Sequence, residues 1–170
     1  MSGLEHLWAG WRGAYVSGAT ASPDGGRSSE ECLFERILSP GQDDLHHVVW
    51  RGARTAVVLN AYPYTSGHVM VAPVRHVGEL EELEAGESLE LWSAVTQAVQ
   101  AVKAAYDPGG VNVGLNLGRA AGAGVPGHLH VHVLPRWNGD TNFMTAVAGV
   151  RVLPETLPDT WAKLRDAWPS

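Results

Sequence analysis

Apolar and polar side chains alternate along several stretches of this chain and follow a helical period along others. Alternating or short apolar runs predict strands near residues 46–51, 55–60, 68–73, 111–117 and 129–134, because successive side chains of an extended chain face opposite ways. Between the third and fourth of these, Leu91, Val95, Ala98, Val102 and Ala105 recur every three or four residues. That spacing predicts one long helix from about Glu87 to Tyr106, stopped by Asp107-Pro108-Gly109-Gly110. A short helix is expected over Glu30–Leu38, and a final one over Glu155–Trp168 with Leu157, Trp161, Leu164 and Trp168 on one face. The second and third strands flank Ala61–Gly67, a loop carrying Pro63 and Gly67, which reads as a hairpin with Asn60 and His68 facing each other across its mouth. These elements define an α+β unit. Residues 17–29, dominated by glycine, serine and proline, read as a flexible loop.

The last strand carries unusual chemistry. In Gly127-His128-Leu129-His130-Val131-His132-Val133-Leu134 the aliphatic residues face the core, and His128, His130 and His132 share the other face. Imidazole is the side chain whose proton moves near neutral pH, and three of the eight histidines of the chain stand together here. From spacing alone, a metal site, metal-free catalysis and a histidine-rich polar face all remain open. The preceding Gly122-Ala-Gly124-Val-Pro126-Gly127 spells a dinucleotide-binding fingerprint by letter. That reading needs a helix after the glycines, whereas Pro126 and a strand follow. What remains is a glycine loop whose backbone N–H groups can wrap an anion.

Composition narrows the setting. At 170 residues, 45% of them hydrophobic, the chain is long enough for one domain with a substantial core, expected to span 1–170 with a C-terminal extension over 138–170. No apolar run has transmembrane length, and the opening residues lack the order of a secretory signal. A single cysteine, Cys32, excludes an intramolecular disulfide, and a cytoplasmic location is expected. The formal net charge of −6 argues against a nonspecific nucleic-acid binder. Most of the seven tryptophans are expected in the core or at subunit contacts.

Taken together, His128-x-His130-x-His132, Asn60 with Gly67-His68 downstream, Asn116-Leu117-Gly118 and Pro135-Arg136-Trp137 resemble the histidine-triad (HIT) nucleotide hydrolases and transferases. The likeness runs from about Val48 to Met144, with a further similar opening at Leu7–Arg12. Within the family the chain looks most like the actinobacterial diadenosine tetraphosphate phosphorylase branch. The resemblance implies a five-stranded antiparallel sheet and a homodimer or higher homo-oligomer. It also implies nucleotidyl transfer from dinucleoside polyphosphates through a covalent nucleotidyl-His130, with phosphate the favoured acceptor. By the same resemblance His132 contacts phosphate oxygens, His128 positions His130, and His68 supports His128. Asn60 is expected to take the ribose hydroxyls. Asn116, Gly118, Gly124, Gly127 and Arg136 are expected near the phosphates, and Trp137 along the substrate groove. Hydrolysis of the same substrates or of nucleoside phosphoramidates is the alternative within enzymes, and a nucleotide sensor without turnover is the alternative outside them.

Many family members bind zinc through Cys-x-x-Cys and two distant histidines. Here Glu35 stands where the second cysteine would be, with Cys32, His76 and His128 at the remaining positions. A structural zinc is therefore not expected, and neither is any required cofactor beyond magnesium travelling on the substrate.

Overall fold

The computed structural model describes residues 32–140 and 153–169. The loop at 17–29, the tryptophan-containing opening at 7–12, the start of the first expected helix and the stretch after Asp140 lie outside them, so the domain reading over 1–170 is covered only in part. Along the described chain run α1 (Leu33–Ile37), β1 (Val48–Arg51), β2 (Thr55–Leu59), β3 (Val69–Pro73), α2 (Ala85–Tyr106), β4 (Gly110–Leu115), β5 (Val131–Arg136) and α3 (Leu157–Asp166). The five strands form one antiparallel sheet in the order β1-β2-β3-β5-β4.

Alternation along the strands sorts side chains between two layers. Val57 and Leu59 of β2, Val69 and Val71 of β3, and Val131 and Val133 of β5 meet Leu91, Ala94, Val95, Ala98, Ala101 and Val102 of α2 in the main core, joined by Leu164 of α3. Each valine or leucine among these, once buried, contributes about 1.5–3 kcal/mol. The other face of β2 and β3 packs Ala56, Val58 and Ala72 beneath Phe34 of α1 and Leu38. Strand β2 is buried throughout because both of its faces are covered. On β5, odd positions enter the main core and even positions do not, so His132 lies on the α1 side, paired in register with Met70 of β3 and Gly114 of β4.

Several boundaries differ from the sequence reading. Helix α2 starts at Ala85, because the Glu84 N–H donates to the Glu87 carboxylate at 3.0 Å and Arg75 holds that carboxylate in turn. Apolar periodicity, which begins at Leu91, is blind to such a cap. Strand β5 begins at Val131 rather than 129, since the Leu129 N–H leaves the ladder to bond the Val77 carbonyl at 2.7 Å. At its far end β5 continues through Pro135 to Arg136, opposite Val111 and Gly110. Strand β4 accordingly starts at Gly110 and ends one residue before Asn116. Helix α3 is shorter than expected, beginning after Thr156, whose hydroxyl accepts from the Asp159 N–H. Its Trp161 indole donates to the Val48 carbonyl of edge strand β1 at 2.9 Å.

Candidate active site

The approach to β5 and the β2–β3 loop together build a wall of four histidines. Backbone partners decide how each ring is protonated, because a carbonyl only accepts and an N–H only donates. His130 Nδ1 lies 2.8 Å from the His128 carbonyl and must carry the proton, leaving Nε2 with its lone pair. His128 Nε2 donates to the Pro73 carbonyl at 2.8 Å, so its Nδ1 is the bare nitrogen. His68 Nδ1 accepts the Tyr64 N–H at 3.1 Å, and its Nε2–H therefore donates to His132 Nδ1 at 2.9 Å. His132 is left with an Nε2–H. The wall thus presents one nucleophilic nitrogen, on His130, beside one donor, on His132, with ring centroids 4.9 Å apart.

Burial keeps the wall neutral. His128, His130 and His68 are 1–5% exposed, and the loss of solvation lowers the pKa of both His128 and His130. For His132 burial, assisted by the neighbouring His130, pulls the value from 6.5 down to about 4. Desolvation penalises the imidazolium, so at neutral pH His128, His130 and His132 are uncharged. Phe34 closes the wall from the α1 side, its ring 4.9 Å from His128 and 5.0 Å from His130. Tyr64, about half exposed, covers His68 and His132 from the loop side at 4.6 and 6.0 Å. Neither aromatic stood out in the sequence. Tyr64 lies four residues before His68 in a turn-rich segment, the one signal that could have found it.

One sequence expectation changes, and Arg136 and Trp137 are found with partners of their own. His68 does not support His128; it bonds His132, because the antiparallel pairing of β3 with β5 brings His68 to the His132 side chain. Arg136 stands four residues beyond His132, roughly 13 Å along the strand. Its guanidinium is held by both Asp140 oxygens at 2.6 and 2.7 Å and by Asn112 at 2.8 Å, so its charge is offset. Trp137 packs edge-on against Tyr106 of α2 at 6.2 Å.

The remaining residues are placed as follows. Asn60 accepts the Tyr62 N–H at 2.9 Å and turns its amide nitrogen toward His68 Nδ1 at 3.4 Å. Asn116 and Gly118 follow Leu115, which pairs with Val131, so the turn after β4 begins level with the histidine end of β5. A side chain at Gly118 would meet nothing within 4 Å, leaving that backbone open. Gly124 is exposed in the same loop. A side chain at Gly127 would meet first the ring of His76, at 3.9 Å.

Behind the wall a second cluster converges. Donor atoms of Cys32, His76 and His128 lie within 4.8 Å of one another, with Cys32 Sγ 3.4 Å from the bare Nδ1 of His128. The Glu35 carboxylate sits 3.4 Å from His76 Nδ1. Cys32 and His128 are 96 residues apart, so periodicity does not find this cluster; the family resemblance groups the same four positions. One thiolate, two imidazoles and a carboxylate match zinc chemistry, and the Pro73 carbonyl orients His128 as a metal-bound imidazole is usually oriented.

A family model for the HIT domain matches residues 43–139, more than half of the chain. With a histidine wall on a five-stranded antiparallel sheet, the chain belongs to the HIT family. It is 42% identical over 165 residues to the AP-4-A phosphorylase of Mycobacterium tuberculosis, covering 97% of this chain and 85% of that one. Among solved structures it resembles a hypothetical histidine triad nucleotide-binding protein from Sulfolobus tokodaii, with TM-score 0.65 and 28% identity over 80% of this chain and 91% of that chain. It also resembles a Zn-bound histidine triad family protein from Mycobacterium smegmatis, with TM-score 0.62 and 30% identity over 82% and 94%. Among the described residues no helix is long and apolar enough to cross a membrane.

Proposed function

We propose that this chain is a nucleotidyltransferase that splits dinucleoside polyphosphates such as diadenosine tetraphosphate and passes the nucleotidyl group to phosphate. The observation that carries the reading is the lone pair of His130 Nε2, held bare because Nδ1–H is committed to the His128 carbonyl. A neutral imidazole nitrogen is a competent nucleophile without a separate base. Its attack on the α-phosphorus forms a P–N bond and breaks the P–O bond to the β-phosphate, so that ATP departs. As positive charge develops on the ring, the His128 carbonyl dipole stabilises it through Nδ1–H. The Nε2–H of His132 donates to the phosphoryl oxygens or to the departing oxygen. A phosphate oxygen then attacks the same phosphorus, the P–N bond breaks, ADP forms and His130 is restored.

The acceptor assignment is supported by the likeness to the mycobacterial phosphorylase and by proximity. A site shaped for polyphosphate holds a phosphate where the first leaving group sat, whereas water competes by concentration alone. The open backbone after β4 and a magnesium ion carried on the substrate would offset its negative charge in place of Arg136. Zinc fits the second cluster, where Cys32, His76, His128 and Glu35 would hold it; when bound it supplies a cross-link between α1 and the segment that carries the wall.

Strand β4, at the edge of the sheet among the described residues and with Val113 44% exposed, would pair with a second copy of the chain, giving a homodimer or larger assembly that sedimentation would register. The test of function is product identity. Diadenosine tetraphosphate with phosphate should give ADP and ATP with little AMP, and the covalent nucleotidyl-enzyme should be trapped when phosphate is withheld. Equal rates of AMP and ATP formation with and without phosphate would make the protein a hydrolase.

A further inference from the structure

The β2–β3 loop does more than carry His68. We propose that Asn60 is a positioning residue which, with the Tyr64 N–H, fixes a one-way chain of hydrogen bonds from the loop through His68 to His132, so that His132 always offers a donor to the substrate.

Every link is set by a group that cannot reverse. The Tyr62 N–H must donate, so the Asn60 atom at 2.9 Å is Oδ1 and the other amide atom is Nδ2. The Tyr64 N–H must donate, so His68 Nδ1 is an acceptor, and Asn60 Nδ2 points a second donor at the same nitrogen from 3.4 Å. His68, 1% exposed, has its remaining proton on Nε2, which lies 2.9 Å from His132 Nδ1. His132 Nδ1 is thereby occupied as an acceptor, and its own proton stands on Nε2. Among the described residues the groups facing His132 are His68 from the start of β3, His130 ahead of it on the same segment and the Tyr64 ring from the loop. Its register partners, Met70 on β3 and Gly114 on β4, carry no charge. No carboxylate among them could turn the chain around.

An amide is required at position 60 for this purpose, and a carboxylate would defeat it. Asp at this position still accepts the Tyr62 N–H, but it has no donor for His68 and pulls a proton to Nδ1 in competition with the Tyr64 N–H, which must give up that acceptor when the proton is there. His68 Nε2 then becomes an acceptor for His132 Nδ1–H, and His132 meets the substrate with a bare Nε2 until it picks up a second proton. One amide N–H and one oxygen lone pair of Asn60 remain for a ligand, so a contact with the ribose is compatible with this role and separable from it by experiment.

The activity arm of the test rests on the proposed nucleotidyl transfer; the spectroscopic arm does not. Imidazole 15N shifts of the wild-type protein at about pH 7.5 should show His132 protonated at Nε2 and bare at Nδ1, and Asn60→Asp should reverse or mix these states. With diadenosine tetraphosphate, wild-type kcat should be flat from about pH 7 to 8. For Asn60→Asp it should fall by about tenfold over the same interval, since a donor is now available only when His132 is protonated. Asn60→Ala, which removes both bonds, should lower kcat without that pH dependence. A wild-type His132 bare at Nε2 would overturn the proposal, as would an Asn60→Asp protein whose KM alone changes, equally at all pH values. Failure of the wild-type protein to turn over any dinucleoside polyphosphate would sink the functional reading while leaving the 15N result to decide the chain of bonds.

Discussion

Removing the titrating group of His132 should flatten the dependence of stability on pH between about 7.5 and 5. The ring is desolvated among Tyr64, His68 and His130, and its pKa falls from 6.5 to about 4. In the unfolded chain an ordinary imidazole takes up a proton below 6.5, whereas the folded one resists until about 4. The unfolded state therefore binds more protons in this window, and stability is lost as the pH falls. The full fall corresponds to about 3 kcal/mol, of which about 2 kcal/mol is realised by pH 5. Urea unfolding of wild type and His132→Gln at pH 7.5 and 5.0 measures the difference directly. The variant should lose about 2 kcal/mol less than wild type over that interval. Equal losses in both proteins would mean that His132 is not desolvated as the structure has it. The same neutrality bears on turnover. At pH 5.5 a group titrating near 4 is about 3% protonated, against about 90% for an unperturbed histidine, so protonation of His132 should not limit activity there.

Other perturbations have equally definite outcomes. His130→Ala should lower kcat by about 10⁴-fold or more and abolish the covalent nucleotidyl-enzyme seen by intact mass, while nucleotide binding measured by calorimetry persists; His132→Gln should slow turnover and keep the intermediate. Gly67 has φ +80° and a side chain there would stand 2.7 Å from the Tyr106 ring, so Gly67→Ala should cost about 2–4 kcal/mol in denaturant unfolding and raise B-factors at His68; an unchanged midpoint would refute the close approach. Purified protein should bind zinc with an affinity reduced by Cys32→Ser, and chelation should lower the melting temperature but not turnover, because no step runs through that cluster; zinc-restorable loss of turnover would show otherwise.

Much of the fold is legible in the order of residues along the chain. Alternation or a short apolar run marks all five strands to within two or three residues: β5 alternates, while β2 runs apolar because both of its faces are covered. The helical period finds α2 and α3, though their ends are set by Glu84, Glu87 and Thr156 through caps that hydrophobicity does not register. The spacing of His128, His130 and His132 places an imidazole wall opposite Val131 and Val133, and that too follows from local geometry. What periodicity cannot supply is the identity of neighbours. A strand pattern says which face a side chain takes, but the pairing of β3 with β5 decides that His68 serves His132 and not His128. The protonation of each ring depends on carbonyls and N–H groups of Pro73, His128 and Tyr64, whose proximity exists only after folding. Arg136 looks available in the sequence, yet Asp140 holds it; the grouping of Cys32 with His76 and His128, expected only through the family resemblance, becomes a distance once the chain is folded. The chain by itself determined which residues stand on the wall, because that depends on the two-residue repeat of an extended backbone. Only the tertiary structure decided which ring nitrogens carry a proton and which are left bare, because that depends on polar groups meeting across distant parts of the chain.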